Sequence, residues 1–310
     1  MYDTVGITLR AEQVPNINLM SQTPLYIDVK GKHLYGNVLT TKGYLGNLEI
    51  SITEERLKIT KGSLCKWHLG DNFQTLTIED TKNAIEHLSD TLHLPINKAD
   101  ITHLDFGHNL ALKQTPETYF EYLGGLNHAR RIAQPSGLYY TNSLRQVVFY
   151  DKIKEQKSNH LPIPNSFRGS NLLRYELRHK KDLRREFGKT MVTASDLYDP
   201  HFFRQNIEKW FLRYQKIQKL TQLQIDFSQM KTKRNLFLAG AASLVNQFGG
   251  VLSFERNIHE AFQRKEITKK EAFHLREGVK ESCNSTINTK ESEFIAELDL
   301  LVNETVEQFG

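Results

Sequence analysis

Two periodicities divide the chain. From the start to about residue 75, short β-like runs such as 24–32 and 33–62 are punctuated by Gly and Asn, as strands joined by hairpin turns would be. Over 77–94 the period changes. Ala84, Ile85, Leu88 and Leu92 recur at helical spacing behind a Thr- and Asp-rich start, which predicts an amphipathic helix. A strand is predicted over 101–112, a second helix over 115–126, and strands over 136–142 and 145–152. Past a polar loop holding Pro162 and Pro164, a further strand is predicted over 171–180. From about Ser195 the pattern is helical throughout, over 199–220, 231–250, 268–282 and 289–309. The expected fold is α+β: an antiparallel sheet with helices packed on one face, then an α-helical C-terminal extension. Its expected units are residues 1–194 and 195–310.

Alternation within three of these strands separates an apolar face from a chemical one, because successive side chains point to opposite sides. In "ITHLDFGHN", Leu104 and Phe106 oppose His103, Asp105 and Gly107. In "NLLRYELRH", Leu173, Tyr175 and Leu177 oppose Arg174, Glu176 and Arg178. In "RQVVFYDK", Val147 and Phe149 oppose Val148, Tyr150 and Lys152. If the strands share a sheet, Asp105, Glu176 and Tyr150 meet on the face that helices leave open.

Two carboxylates and a histidine suit a hard divalent ion such as Mg²⁺ or Mn²⁺, with His103 and, as a third carboxylate, Glu155 as further ligands. A tyrosine hydroxyl, with its ordinary pKa near 10, needs a base or a cation to attack anything at neutral pH. A metal that also polarises a phosphate oxygen serves attacker and target together. Tyr150 then reads as a nucleophile at a strand end, with Lys152 stabilising phenolate or phosphate charge. The plainer alternatives are cross-strand ion pairing for Arg174, Glu176 and Arg178, a half-buried strand aromatic for Tyr150, and surface histidines for His103 and His108. Asp105 is the more unusual residue, since a carboxylate in an apolar strand carries a desolvation cost unless something pairs it.

Composition narrows the class. The 310 residues are 39% hydrophobic and 25% charged, as in ordinary globular proteins. No apolar run nears the roughly 18 residues that span a bilayer, and the start lacks a signal-peptide profile, so a cytoplasmic location without membrane contact is expected. Cys65 and Cys283 are far apart and suggest neither a disulfide framework nor a zinc module. The formal charge of +5 is a mild bias towards polyanions. Arg174, Arg178, Lys180, Lys181, Arg184 and Arg185 form the cationic set that would track a DNA backbone, and Lys231–Arg234 is either an addition to it or a solvated helix face. Trp67, Tyr139 and Tyr140 either stack unpaired bases or pack a core. The stretch "ITKKEAFHLREGV" fits a helix-turn-helix and a bundle helix equally well.

Taken in order, "ITHLDFGHN", "RQVVFYDKIKEQ" and "LLRYELRHKKDLRREFG" resemble the successive motifs of the gene II/X family of phage and plasmid replication proteins, and the likeness extends through "SLCKWHLGDNFQTLT", "QPSGLYY" and "SDLYDP". The resemblance implies a rolling-circle initiator: a metal-dependent endonuclease that nicks one strand of origin DNA, stays attached through a phosphotyrosine and later religates. The family's motif tyrosine and lysine fall on Tyr150 and Lys152, its strand aspartate on Asp105, and its glutamate on Glu176. An acidic residue after the tyrosine in wider relatives would be Glu155. Where those relatives carry paired histidines as ligands, this chain reads His103-Leu104-Asp105. The implied partner is origin DNA, single-stranded or locally opened, with a host helicase or polymerase beyond it. The alternative functions are a non-catalytic, sequence-specific nucleic-acid-binding protein, and an interaction protein whose helical tail binds a replication factor.

Overall fold

A computed structural model of the chain describes residues 1–220, 222–223, 230–284, 289–290 and 292–310; the parts of the expected helical stretch at 221, 224–229, 285–288 and 291 lie outside them. Strand β1 (Tyr2–Arg10) is buried along almost its whole length because strands flank it on both edges. The short helix α1 (Leu19–Gln22) leads to β2 (Asp28–Tyr35), β3 (Val38–Leu45), β4 (Leu48–Ile52) and β5 (Arg56–Lys61), a meander of antiparallel neighbours. Helix α2 (Leu64–Leu69) starts at Ser63, whose hydroxyl accepts the Lys66 amide. Helix α3 (Ile78–Leu92) begins with a reciprocal Thr77 and Asp80 cap and buries Ala84, Ile85, Leu88 and Leu92, as their spacing predicts.

Beyond it come β6 (Asp100–Leu112), α4 (Pro116–Phe120), β7 (Leu123–Leu126), β8 (Arg130–Gln134), β9 (Gly137–Thr141), β10 (Arg145–Asp151), α5 (Lys152–Ser158), β11 (Asn171–His179) and α6 (Leu183–Phe187). One ten-stranded sheet runs in the order β2-β3-β4-β5-β1-β6-β11-β10-β9-β8. The chain is therefore α+β, with the three motif strands β6, β11 and β10 side by side.

The helix expected over 115–126 is only its first part. It stops at Phe120, and Leu123–Leu126 is extended because β12 (Ile217–Lys219) pairs with it. Gly125 permits the next layer: a Cβ there would lie 2.5 Å from Leu252 Cβ. Tertiary contact thus overrides local helical spacing, and the same pairing ends α7 (Pro200–Gln215) before residue 220.

Helices α8 (Lys233–Gln247), α9 (Gly250–Gln263) and α10 (Lys269–Asn284) gather around Val245, Ile258, Ala272 and Val279. The stretch read as a possible helix-turn-helix is α10, a bundle helix of this small core. Helix α11 (Glu293–Phe309) returns to the sheet, where Glu297 accepts the Tyr119 hydroxyl at 2.6 Å and Asp299 accepts that of Tyr214 at 2.6 Å. The main apolar core includes Trp210 and Tyr214 of α7 and Leu298 and Val302 of α11, so packing is continuous across residue 195. No single described helix is long and apolar enough to cross a membrane; α8 and α9 meet that test only together, across an 83° bend. Both cysteines are free.

Candidate active site

The register of the three central strands decides which side chains meet. Tyr150 stands opposite Arg174 and Val148 opposite Glu176 across β10 and β11; Glu176 stands opposite Gly107 and Arg178 opposite Asp105 across β11 and β6. Alternation sends Phe106, Phe149 and Tyr175 to one face, where α7 and α11 cover them. The Tyr175 ring stacks on Phe149 at 4.5 Å and packs against Trp210 at 4.5 Å, and its hydroxyl donates to the Trp210 carbonyl.

On the other face the Tyr150 hydroxyl donates to Glu176 Oε1 at 3.0 Å. Arg174 Nε donates to the same oxygen at 3.0 Å, while Arg178 donates through Nε and Nη2 to Oε2 at 2.8 and 2.6 Å. Hydrogen bonds between ionised partners of this kind are roughly twice as strong as neutral ones. Arg174 continues to Asp3 Oδ2 at 3.2 Å and to Asn109 Oδ1 at 3.3 Å. Gly107 makes room for all this, since a Cβ there would come within 2.7 Å of Glu176 Cγ.

This face is not the open surface that the strand pattern suggests. Glu176 is 1% exposed and Arg174 2%. Phe73, Ile153 and Leu172 close over part of it, with Phe167 stacked on Phe73 at 5.0 Å, and α5 packs against β10 and β11. Charges tolerate this burial because each is paired. Arg174 is consequently removed from the set of DNA-facing cations: its guanidinium is occupied by Asp3 and Glu176. Tyr150, like Arg178, is partly exposed at the network's edge. Burial, then the Glu176 charge, pushes its phenol well above the usual tyrosine pKa, so a free phenolate is disfavoured.

Lys152 is reached differently from the expected strand continuation. Asp151 caps α5, its Oδ1 accepting the Lys154 amide at 2.9 Å, so the chain turns into a helix at Lys152. The lysine is 1% exposed, with Nζ 5.9 Å from the centre of the Tyr150 ring. Burial lowers its pKa, and the Glu155 carboxylate at 2.8 Å opposes that shift. Glu155 also accepts from Gln156 at 3.0 Å and Asn159 at 2.8 Å. It is a partner of Lys152 on α5 rather than a third ligand beside Asp105.

The expected metal set separates in the same way. Both Glu176 oxygens are taken by guanidinium groups, and Arg178 Nε, 3.7 Å from Asp105, stands where a cation shared by Asp105 and Glu176 would be. Among the described residues no group of three or more His, Cys, Asp or Glu is arranged to hold a metal. Asp105 and His103 fit better. His103 Nε2 lies 2.7 Å from Asp105 Oδ1 without hydrogen-bond geometry, and that buried oxygen has no hydrogen-bond donor. Burial raises the Asp105 pKa, with His103 working against the shift. An oxygen–nitrogen pair with an orphaned carboxylate oxygen is a donor set that Mg²⁺ or Mn²⁺ accepts when phosphate and water complete its shell.

Of the remaining cations, Lys181, Arg184 and Arg185 are exposed, Arg178 is partly so, and Lys180 is tied to Thr141 Oγ1 at 2.8 Å. Tyr139 lies opposite Val148 on the Tyr150 face, whereas Tyr140 is buried in the apolar core with its hydroxyl on the Leu123 and Gly124 carbonyls. Trp67 packs on His87 at 4.7 Å. The sequence reading passed over Asp3, Asn72 and Gln156, which extend the network from Arg174 towards Glu155. Asp3 had the same signal as Asp105, a carboxylate within an apolar strand. Burial disfavours its charge, but Arg174 and Ser63 hold its pKa below the ordinary value.

A protein-family profile that describes the N-terminal part of the gene II replication-associated protein matches residues 1–199, the span that contains the whole ten-stranded sheet. No curated protein matches the chain.

Proposed function

The chain belongs to this phage replication-initiator family, and on that premise we propose that it starts rolling-circle replication as a tyrosine nickase and strand transferase on origin DNA. The observation that carries the reading is the Tyr150–Glu176 hydrogen bond of 3.0 Å, held at the partly exposed edge of a two-arginine cradle. Tyr150 attacks a backbone phosphorus and its proton passes to Glu176, so that no free phenolate has to form. A phosphorus–oxygen bond to the tyrosine replaces the one to the sugar. Lys152, whose proton burial loosens, protonates the departing sugar oxygen. Reversal of the step reseals the strand without a nucleotide, because a phosphodiester is exchanged for a phosphotyrosine.

Arg174 and Glu155 act as positioning residues for Glu176 and Lys152. Asp105 and His103 are the residues that would hold Mg²⁺ or Mn²⁺, which supplies positive charge to a phosphate oxygen. Lys181, Arg184 and Arg185 offer exposed charge to the DNA backbone. A second reading, DNA binding without catalysis, draws support from the saturation of Glu176 by two arginines, as in a purely structural ion network.

The two readings separate when the protein is incubated with supercoiled DNA carrying the origin of its own replicon, with Mn²⁺ or Mg²⁺. The nickase yields open circles with protein attached, and mass mapping places the DNA on the peptide containing Tyr150. Retention of nicking by Tyr150→Phe, or attachment at another tyrosine, defeats the assignment. Binding without any cleavage favours the second reading.

A further inference from the structure

The hairpin formed by β2 and β3 is built unlike the rest of the sheet. Strand β3 pairs with β4 only from Thr41 onward, so His33–Leu34–Tyr35 and Val38–Leu39–Thr40 project beyond their neighbour as a two-stranded ribbon closed at Gly36 and Asn37. At its end Leu34 faces Leu39 and Tyr35 faces Val38 across the two strands. Because adjacent pairs point to opposite sides, the tip is apolar on both faces. These four side chains are 69%, 43%, 56% and 50% exposed, in that order.

The stem is cationic. Lys30 and Lys32 are exposed on β2, and Lys42 on β3 donates to the Tyr35 hydroxyl at 3.0 Å. No acidic residue occurs between Lys30 and Leu48, and Asp28 is paired to Lys30. Lysines on an edge strand also discourage sheet-to-sheet aggregation, but an apolar tip does the opposite and needs its own reason. A ribbon with a basic stem and a tip apolar on both sides fits a polyanion whose interior is a stack of flat apolar faces. Proteins that kink duplex DNA use this combination, inserting apolar wedges between base steps.

We propose that the β2–β3 ribbon is a strand-opening wedge, its lysines gripping the phosphates of duplex DNA while Leu34, Leu39, Tyr35 and Val38 enter between base pairs. The inference rests on the nickase reading for its purpose, since Tyr150 needs a strand released from the duplex. Six strand spacings separate β2 from β11 in the sheet order, about 29 Å measured along the sheet, the length of roughly 8–9 base-pair steps.

The test compares the parent with the double variant Leu34→Ser, Leu39→Ser, after equal melting temperatures show that the sheet is intact. Three quantities are read: nicking of linear duplex origin DNA, nicking of the same site as a single-stranded oligonucleotide, and permanganate reactivity of thymines near the site. Expected is a loss of at least about tenfold on the duplex together with lost thymine reactivity, since unstacking costs a few kcal/mol per step, and unchanged single-strand cleavage. Equal activity on the duplex, or equal loss on both substrates, overturns the wedge. Failure of the two readings is distinguishable. A parent that opens the duplex without cleaving either substrate defeats the nickase and leaves the wedge; one that cleaves only the single strand and opens nothing defeats the wedge alone.

Discussion

The strands β6, β11 and β10 bury both of their faces, with opposite materials. One face holds Phe106, Phe149 and Tyr175 under α7 and α11, stabilised by area and ring contact that tolerate small displacements. The other holds Tyr150, Glu176, Arg174, Arg178 and Asp105, where every buried charge depends on a named partner. The difference is one of consequence when a partner is lost. Apolar packing loses what was removed, whereas an ionic network also strands a charge in a place that water cannot reach.

The largest expected effect separates chemistry from support. On the proposed mechanism, Tyr150→Phe removes the attacking oxygen and lowers the nicking rate on the order of 10⁴- to 10⁶-fold, as loss of a nucleophile does. Stability changes by only about 1 kcal/mol, because Arg174 still donates to Glu176 Oε1. Rate assays beside denaturant melts check both halves. Arg174→Ala comes next. It deprives Asp3 and Glu176 of their shared cation and costs about 3–5 kcal/mol in folding. Its counterpart across the sheet, Tyr175→Phe, removes one donor from the Trp210 carbonyl, which lies inside α7 and keeps its helical partner, and costs about 0.5–1.5 kcal/mol, with activity per folded molecule unchanged. Equal costs from the two variants would erase the contrast between the faces.

Gly107→Ala probes the seam between them. The added methyl meets the Tyr175 carbonyl at 2.5 Å and Glu176 Cγ at 2.7 Å, so a loss of about 1–3 kcal/mol and a displaced Glu176 are expected. Reduced nicking in the folded fraction is the check. The last effect is a pH slope rather than a cost at one pH. Burial depresses His179, on the apolar face, to about 3, and Arg145 adds to the shift. The unfolded chain binds that proton below about pH 6.5 while the folded chain refuses it until about pH 3, so stability falls as pH drops through this window. His179→Phe makes the decline shallower, read as melting temperature from pH 7 to 4.

Part of this was legible beforehand. The helical spacing of Ala84, Ile85, Leu88 and Leu92 and the alternation in β6, β10 and β11 point to the correct elements and faces, because a helix buried on one side and a strand with one apolar and one polar face each leave a period in the chain. The short β7 was not legible: its extended form depends on β12, some ninety residues away in sequence. Nor was the cover over the polar face, since Phe73, Ile153 and Phe167 come from three separate segments of the chain. Asp3 was visible by the criterion that singled out Asp105, but nothing local connects it to Arg174.

By itself, then, the order of residues determined which side chains share a face of each strand, where the chain turns, and which family profile it matches. Periodicity and motif spacing are properties of the covalent chain. The remote partners were decided only by tertiary structure: Arg178 with Asp105, Tyr150 with Glu176, and Asp3 beneath Arg174. Pairing energies depend on distance and on exclusion of water, and both arise only when remote strands and their covering loops come together.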